Sequence, residues 1–172
     1  MISGARMDQD ADRAVAALYR LHYRFLVGLA ALLVRDMAIA EGLVQDSFVA
    51  MHSAWRRLED SDRALSYLHQ AVVSRSRSVR RHRVVAGKNL PGAGSGATTE
   101  LERSALISAL WSLTPRQREA LVLLYYANLP EAEVASVMGI SKDAVRSQAA
   151  RAMSLLRAAL GGPADEALRG KL

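Results

Sequence analysis

A chain of 172 residues is short for two large domains and sufficient for two small helical ones joined by a tether. It carries 23 Lys and Arg against 17 Asp and Glu, a balance that favours a polyanionic partner without separating DNA, RNA and anionic lipid. It has no cysteine, which excludes disulfide frameworks, thiolate zinc sites and cysteine nucleophiles and fits a reducing compartment.

The first periodic segment sets Leu18, Leu21, Phe25, Leu29 and Leu32 at steps of three and four, the spacing of one helical face. Its longest apolar run, Phe25 to Val34, is bracketed by Arg24 and Arg35 and is far shorter than the ~20 residues of a spanning helix. A core helix without membrane insertion is therefore expected. The N-terminus has no apolar stretch after a basic start, so no secretory signal is expected either.

A second helix carries Leu43, Val44, Phe48, Met51 and Trp55 on one stripe and Glu41, Gln45 and Asp46 opposite, before turn-like residues from Glu59 to Asp62. A third runs from about Arg63 to Val84 with Leu65, Leu68, Val72 and Val79 inward. Its later part is strongly basic, with Arg75, Arg77, Arg80, Arg81, His82 and Arg83 and no acidic residue between Arg63 and Thr99. Spread over a helical arc with serines between, these cations suit phosphates along a backbone; a solvated helix end is the plainer alternative. Tyr67 and His69 just upstream are placed either to stack on unpaired bases or to pack.

Residues 86–99 contain four glycines and a proline without apolar periodicity, the composition of a flexible linker. The expected organisation is a first domain over 8–85, the linker over 86–99, a second domain over 100–160 and a tail over 161–172.

Helical pattern resumes at Glu100 with Leu101, Leu106, Leu110 and Leu113. Thr114-Pro115-Arg116-Gln117 then reads as a capping box with proline at the first helical position. The new helix is expected to bury Ala120, Leu121, Leu124 and Tyr125, until Asn128-Leu129-Pro130 breaks it. From Glu131 the layout is a short helix, a glycine turn and a second helix: a helix-turn-helix. Ala135 is small where helices cross, Gly139 permits positive φ, Ser141 caps, and Val134, Met138, Ile140 and Val145 supply the shared core. An ordinary helical hairpin is the plainer reading of the glycine alone.

With Val145, Ala149, Ala152, Met153 and Leu156 inward, Asp143, Arg146, Ser147, Ala150 and Ser154 point outward. Arg146 suits a bidentate contact to guanine worth about 1–3 kcal/mol of discrimination, and Lys142 and Arg151 suit phosphates. Ser147 and Gln148 are weaker candidates. Arg151 and Arg157 also suit a solvated basic flank near a helix C-terminus. Period-two patterning is absent, so an all-α chain of two small helical domains is expected. Walker loops, dinucleotide fingerprints and histidine pairs at metal-ligand spacing are also missing; no catalytic residue, metal or cofactor is expected.

Four stretches in order resemble the extracytoplasmic-function sigma factors of bacterial RNA polymerase. They are Leu18-Tyr19-Arg20-Leu21-His22-Tyr23 with Leu29-Ala30, Ala40 to Phe48 followed by Trp55, Tyr67-Leu68 through Val72 to Ser78, and Leu113 to Glu119 with the helix-turn-helix. The resemblance implies region 2 in the first domain and region 4 in the second. It implies that Glu41, Gln45 and Asp46, with Leu43 and Phe48 as packing, bind core RNA polymerase. It implies that the segment holding Tyr67, Ser74, Arg75, Arg77, Arg80 and Arg81 engages the downstream promoter element, and that Lys142, Asp143, Arg146, Ser147, Gln148 and Arg151 engage the upstream one. Gly42 stands where the family usually has an acidic residue, and Ser74 where it often has asparagine. The resemblance further implies promoter DNA and an anti-sigma factor as partners and a cytoplasmic location. A helix-turn-helix regulator that binds operator DNA without polymerase is the alternative, and a helical adaptor that binds only protein is a third reading.

Overall fold

The computed structural model describes residues 2–58, 60–85 and 99–161, with side chains over 8–58, 60–85 and 105–161; the expected linker and tail lie outside them, apart from Thr99 and Gly161. Every regular element among the described residues is helical. The chain divides into two compact units, Met1–Gly92 and Ala93–Leu172.

The first unit is three long helices, α1 (Ile2–Val34), α2 (Met37–Leu58) and α3 (Ser61–Val85). Two aspartates open the second and third. Asp36 accepts from the Ile39 amide at 2.9 Å, and Asp60 accepts from the Arg63 amide at 2.7 Å, each satisfying a first-turn donor that the helix itself leaves open. The corner between α1 and α2 turns at Arg35 in the left-handed region, φ 55°.

Leu26, Leu29 and Leu33 of α1 meet Val44 and Met51 of α2 and Leu68, Val72 and Val73 of α3 in a core closed to solvent. Burying each large aliphatic side chain contributes about 1.5–3 kcal/mol. The expected face of α1 is corrected here. Leu21 is 75% exposed, and Phe25 and Leu32 are half-buried. Because α1 packs against two helices at once, its buried stripe is broad and centred on Leu18, Leu26, Leu29 and Leu33. Over Asp8–Val34 this helix is long and apolar enough to cross a membrane by length and composition. Its apolar side is instead covered by α2 and α3, and Arg13, Arg20 and Arg24 are exposed.

Two buried serines are accommodated within their own helices: Ser47 donates to the Leu43 carbonyl at 2.8 Å and Ser76 to the Val72 carbonyl at 2.7 Å. His69 is also buried, so of the two aromatic side chains proposed for stacking only Tyr67, half-buried, reaches the surface. Near the end of α3, Arg83 donates to the Val34 carbonyl and to Asp36 at 3.4 Å. It thereby caps the C-terminus of α1, where carbonyls lack helical partners and cations are favoured.

The second unit contains α4 (Thr99–Ser112), α5 (Pro115–Leu121), a π-helical turn over Val122–Tyr126, α6 (Glu131–Met138) and α7 (Lys142–Leu160). Thr114 and Gln117 form the expected capping box, with reciprocal bonds of 3.3 and 3.0 Å. Ala109, Leu110 and Leu113 are buried while Leu106 is exposed; the side chain of Leu101 lies outside the described residues.

The expected apolar face of α5 is also corrected. Val122 and Leu123 are buried, Leu124 is half-buried, and Tyr125 is exposed. Arg118 to Leu123 are all buried, so the inward surface here is the whole circumference rather than one stripe, and the helix then passes through the π turn, where the Ala127 amide bonds to Val122 rather than to Leu123. Ahead of it, the buried Arg118 lies 3.8 Å over the Trp111 ring and donates to the Leu113 carbonyl at 3.4 Å.

Candidate nucleic-acid interface

The helix-turn-helix is assembled as its residue types require. Gly139 closes α6 at φ 67°, where a Cβ is strained. The Ile140 amide returns to the Ala135 carbonyl at 3.1 Å, and Ser141 caps α7 by accepting from the Ala144 amide at 3.1 Å. Val134, Ala135, Met138 and Val145 are buried and Ile140 half-buried. Ala149, Ala152 and Leu156 continue the inward stripe of α7, with Met153 at its edge.

Lys142, Asp143, Arg146, Ser147 and Arg151 are exposed on the other side of α7, and Gln148 is half-buried. Arg146 is not idle there. Its Nε donates to Glu131 Oε2 at 2.8 Å, its Nη2 stands 2.7 Å from the same oxygen in an ion pair, and its Nη1 donates to Asp143 Oδ1 at 3.1 Å. Glu131, hydrogen-bonded to the guanidinium, raises its pKa above the ordinary arginine value, and Asp143 adds to the effect. The sequence pattern did not signal Glu131. As the first residue of α6 it reads only as a favourable acidic helix start, and the fold closes the fifteen-residue gap to Arg146.

In the first unit the basic set is divided. Tyr67, Ser74, Arg77 and Arg81 fall within an arc of about 80° at 100° per residue, forming one outward strip of α3. Arg75 turns towards α2 and reaches the Asp46 carbonyl at 3.5 Å. Arg80, one turn beyond the buried Ser76, lies on the side of α3 that faces the bundle.

Between α2 and α3 runs an open groove of about 630 Å³ lined by Gly42, Asp46, Val49, Arg75, Ser78 and Val79 among others. It brings the acidic face of α2 and the basic part of α3 onto one surface. Glu41, Gln45 and Asp46 are exposed. Leu43 and Phe48 are buried and support that face from behind. Phe48 meets Tyr19 edge-on at 5.0 Å, Tyr19 stacks on Tyr23 at 4.4 Å, and the Tyr23 hydroxyl accepts from Gln45 at 3.3 Å. Tyr23 and the exposed Val49 thus belong to the surface beside the expected residues. Among the histidines, His52 pairs with Asp12 at 2.7 Å; among the described residues no three His, Asp or Glu side chains gather to hold a metal ion.

Residues 18–84 match Sigma-70 region 2 and residues 103–156 match Sigma-70, region 4. RNA polymerase sigma factor CarQ of Myxococcus xanthus is 29% identical over 164 residues, covering 91% of this chain and 94% of CarQ. The ECF RNA polymerase sigma factor SigM of Mycobacterium tuberculosis is 30% identical over 149 residues, covering 84% of this chain and 76% of SigM. The sigma factor RpoE from Bartonella quintana, solved in complex with the anti-sigma factor NepR, shares the fold with a TM-score of 0.74 at 20% identity, over 86% of this chain and 97% of that one. With region 2 matched in its first unit and region 4 in its second, the chain belongs to the sigma-70 family and is an extracytoplasmic-function sigma factor.

Proposed function

We propose that this sigma factor holds core RNA polymerase on the outer face of α2, through Glu41, Gln45 and Asp46, and melted promoter DNA on the adjoining strip of α3. Tyr67 stacks on an unpaired base, Ser74 contacts its edge, and Arg77 and Arg81 follow the phosphates, while Arg75 and Arg80 back the strip from the α2 and bundle sides. The helix-turn-helix docks α7 in the major groove of the upstream element, where Arg146 reads guanine, Ser147 and Gln148 border it, and Lys142 and Arg151 bind phosphates. Asp143 belongs to this set through its contact with Arg146.

The observation that carries the reading is the groove between α2 and α3, with Asp46 and Arg75 both in its wall. A surface that is acidic on one helix and basic on the next accommodates a protein partner and a nucleic-acid partner side by side. An operator-binding regulator leaves the region 2 match over residues 18–84 without a role. The function consists of binding and positioning, with bond formation left to the polymerase. It places the chain in the cytoplasm, where transcription takes place. The RpoE complex with NepR supports an anti-sigma factor as a further partner, one that competes for the polymerase-binding face.

The test is run-off transcription by purified core polymerase over a pool of genomic promoters, with and without the chain. Promoter-selective transcripts that require the chain are the expected result. Failure of the chain to co-migrate with core enzyme, in the absence of any inhibitor, overturns the proposal.

A further inference from the structure

Arg146 presents five N–H donors. Two are hydrogen-bonded, Nε to Glu131 and one hydrogen of Nη1 to Asp143, and Nη2 lies 2.7 Å from Glu131 Oε2 in the ion pair. At least one hydrogen on each terminal nitrogen remains, enough for the two that guanine N7 and O6 accept from an arginine. The two carboxylates outnumber the single guanidinium, so the cluster carries a net negative charge at the surface of α7. A phosphate approaching it meets that net negative charge, which weakens its contact with the remaining donors. Guanine's acceptors are neutral and need only one remaining donor on each terminal nitrogen.

Resting on the reading that α7 enters the major groove, we propose that Glu131 is a positioning residue that sets specificity: it holds Arg146 for one guanine and withholds it from the phosphate backbone. The side chain of arginine is long and loses rotamer freedom when ordered. Ordering it against Glu131 before DNA arrives lowers that cost at the moment of binding, and lowers it only for a ligand compatible with the held geometry. Glu131 lies on α6 and Arg146 on α7, so the pair also fixes the angle of the guanidinium across the turn. Asp143, on the same helix as Arg146 and three residues before it, supplies the second restraint.

The closing experiment uses the full chain bound to core polymerase. Duplexes selected by the wild type from a randomised pool serve as specific probes and an unrelated duplex as the non-specific one. Arg146→Ala locates the base pair at which discrimination is lost. At that pair, Glu131→Gln is expected to lower discrimination at least about fivefold. It is also expected to tighten binding to the unrelated duplex and steepen its salt dependence by about one unit of log-log slope, the signature of one added phosphate contact. Glu131→Asp keeps the charge at the start of α6 and shortens its reach, and should lose discrimination as well. Thermal melting of each variant reports folding separately.

Wild-type discrimination and salt slope in both Glu131 variants overturn the inference and leave Glu131 a helix-end charge. If the wild type selects no sequence, or Arg146→Ala changes no single base preference, the DNA-reading assignment of α7 fails first and the inference with it.

Discussion

The guanidinium of Arg83 reaches back across the first unit to the main-chain carbonyl of Val34, the last residue of α1. A basic residue at the far end of a cationic helix is thus spent on holding the bundle, with Asp36 as its second acceptor. Arg83→Ala removes a charge-assisted bond that is largely shielded from water and should cost about 1.5–3 kcal/mol. Amide hydrogen exchange checks it: Leu29 and Val72 should exchange faster, and Leu123 and Val145 at the wild-type rate.

Gly42 lies within α2, and a Cβ there meets nothing within 4 Å. Its lack of a side chain therefore answers no packing need. Gly42→Ala should stabilise the first unit by about 0.5–1 kcal/mol by reducing backbone freedom in the unfolded chain. A rise in the thermal midpoint reads this; no rise would mean that backbone freedom at this position does not limit the stability of the first unit.

Asp46→Arg places a cation on the acidic face of α2, opposite the Arg75 wall of the groove. Co-migration with core polymerase should fall at least about tenfold, equivalent to ~1.4 kcal/mol. Duplex binding by the helix-turn-helix should be unchanged. Equal loss of both would indicate unfolding rather than a local surface effect.

Arg118→Met keeps much of the side chain's volume and removes the cation from the Trp111 face and from the Leu113 carbonyl. The combined loss of a buried cation–π contact and a charged hydrogen bond should cost about 2–4 kcal/mol. Denaturant titration followed by Trp111 fluorescence in a Trp55→Phe background measures it. A midpoint equal to wild type would show that the buried guanidinium contributes nothing net.

What could be read from the residues was local. The Thr114 capping box, the left-handed Gly139 and the Ser141 cap each join side chain or backbone to groups within a few positions, so spacing alone specifies them. The exposure of Arg146 and the inward stripe of α7 follow from helical period in the same way. Periodicity failed on α1, where two packing partners widen the buried face and leave Leu21 outside it. It failed again at α5, where Arg118 to Leu123 are buried all round and no single stripe marks the inside. The partners of charged groups were the least legible. Arg83, Arg118 and Arg146 look alike in a row of letters, yet one caps a helix, one is buried against tryptophan and one is held by two carboxylates.

The single surplus residue in the turn over Val122–Tyr126 acts as an angular shim. Removing it would restore ordinary α pitch and swing everything downstream by about 100° about the local axis. Val122, whose amide bonds back to the Arg118 carbonyl of α5, would keep its place, and α6 would start from a different azimuth. The direction of α7 is therefore set in part upstream of the helix-turn-helix itself, at the π turn.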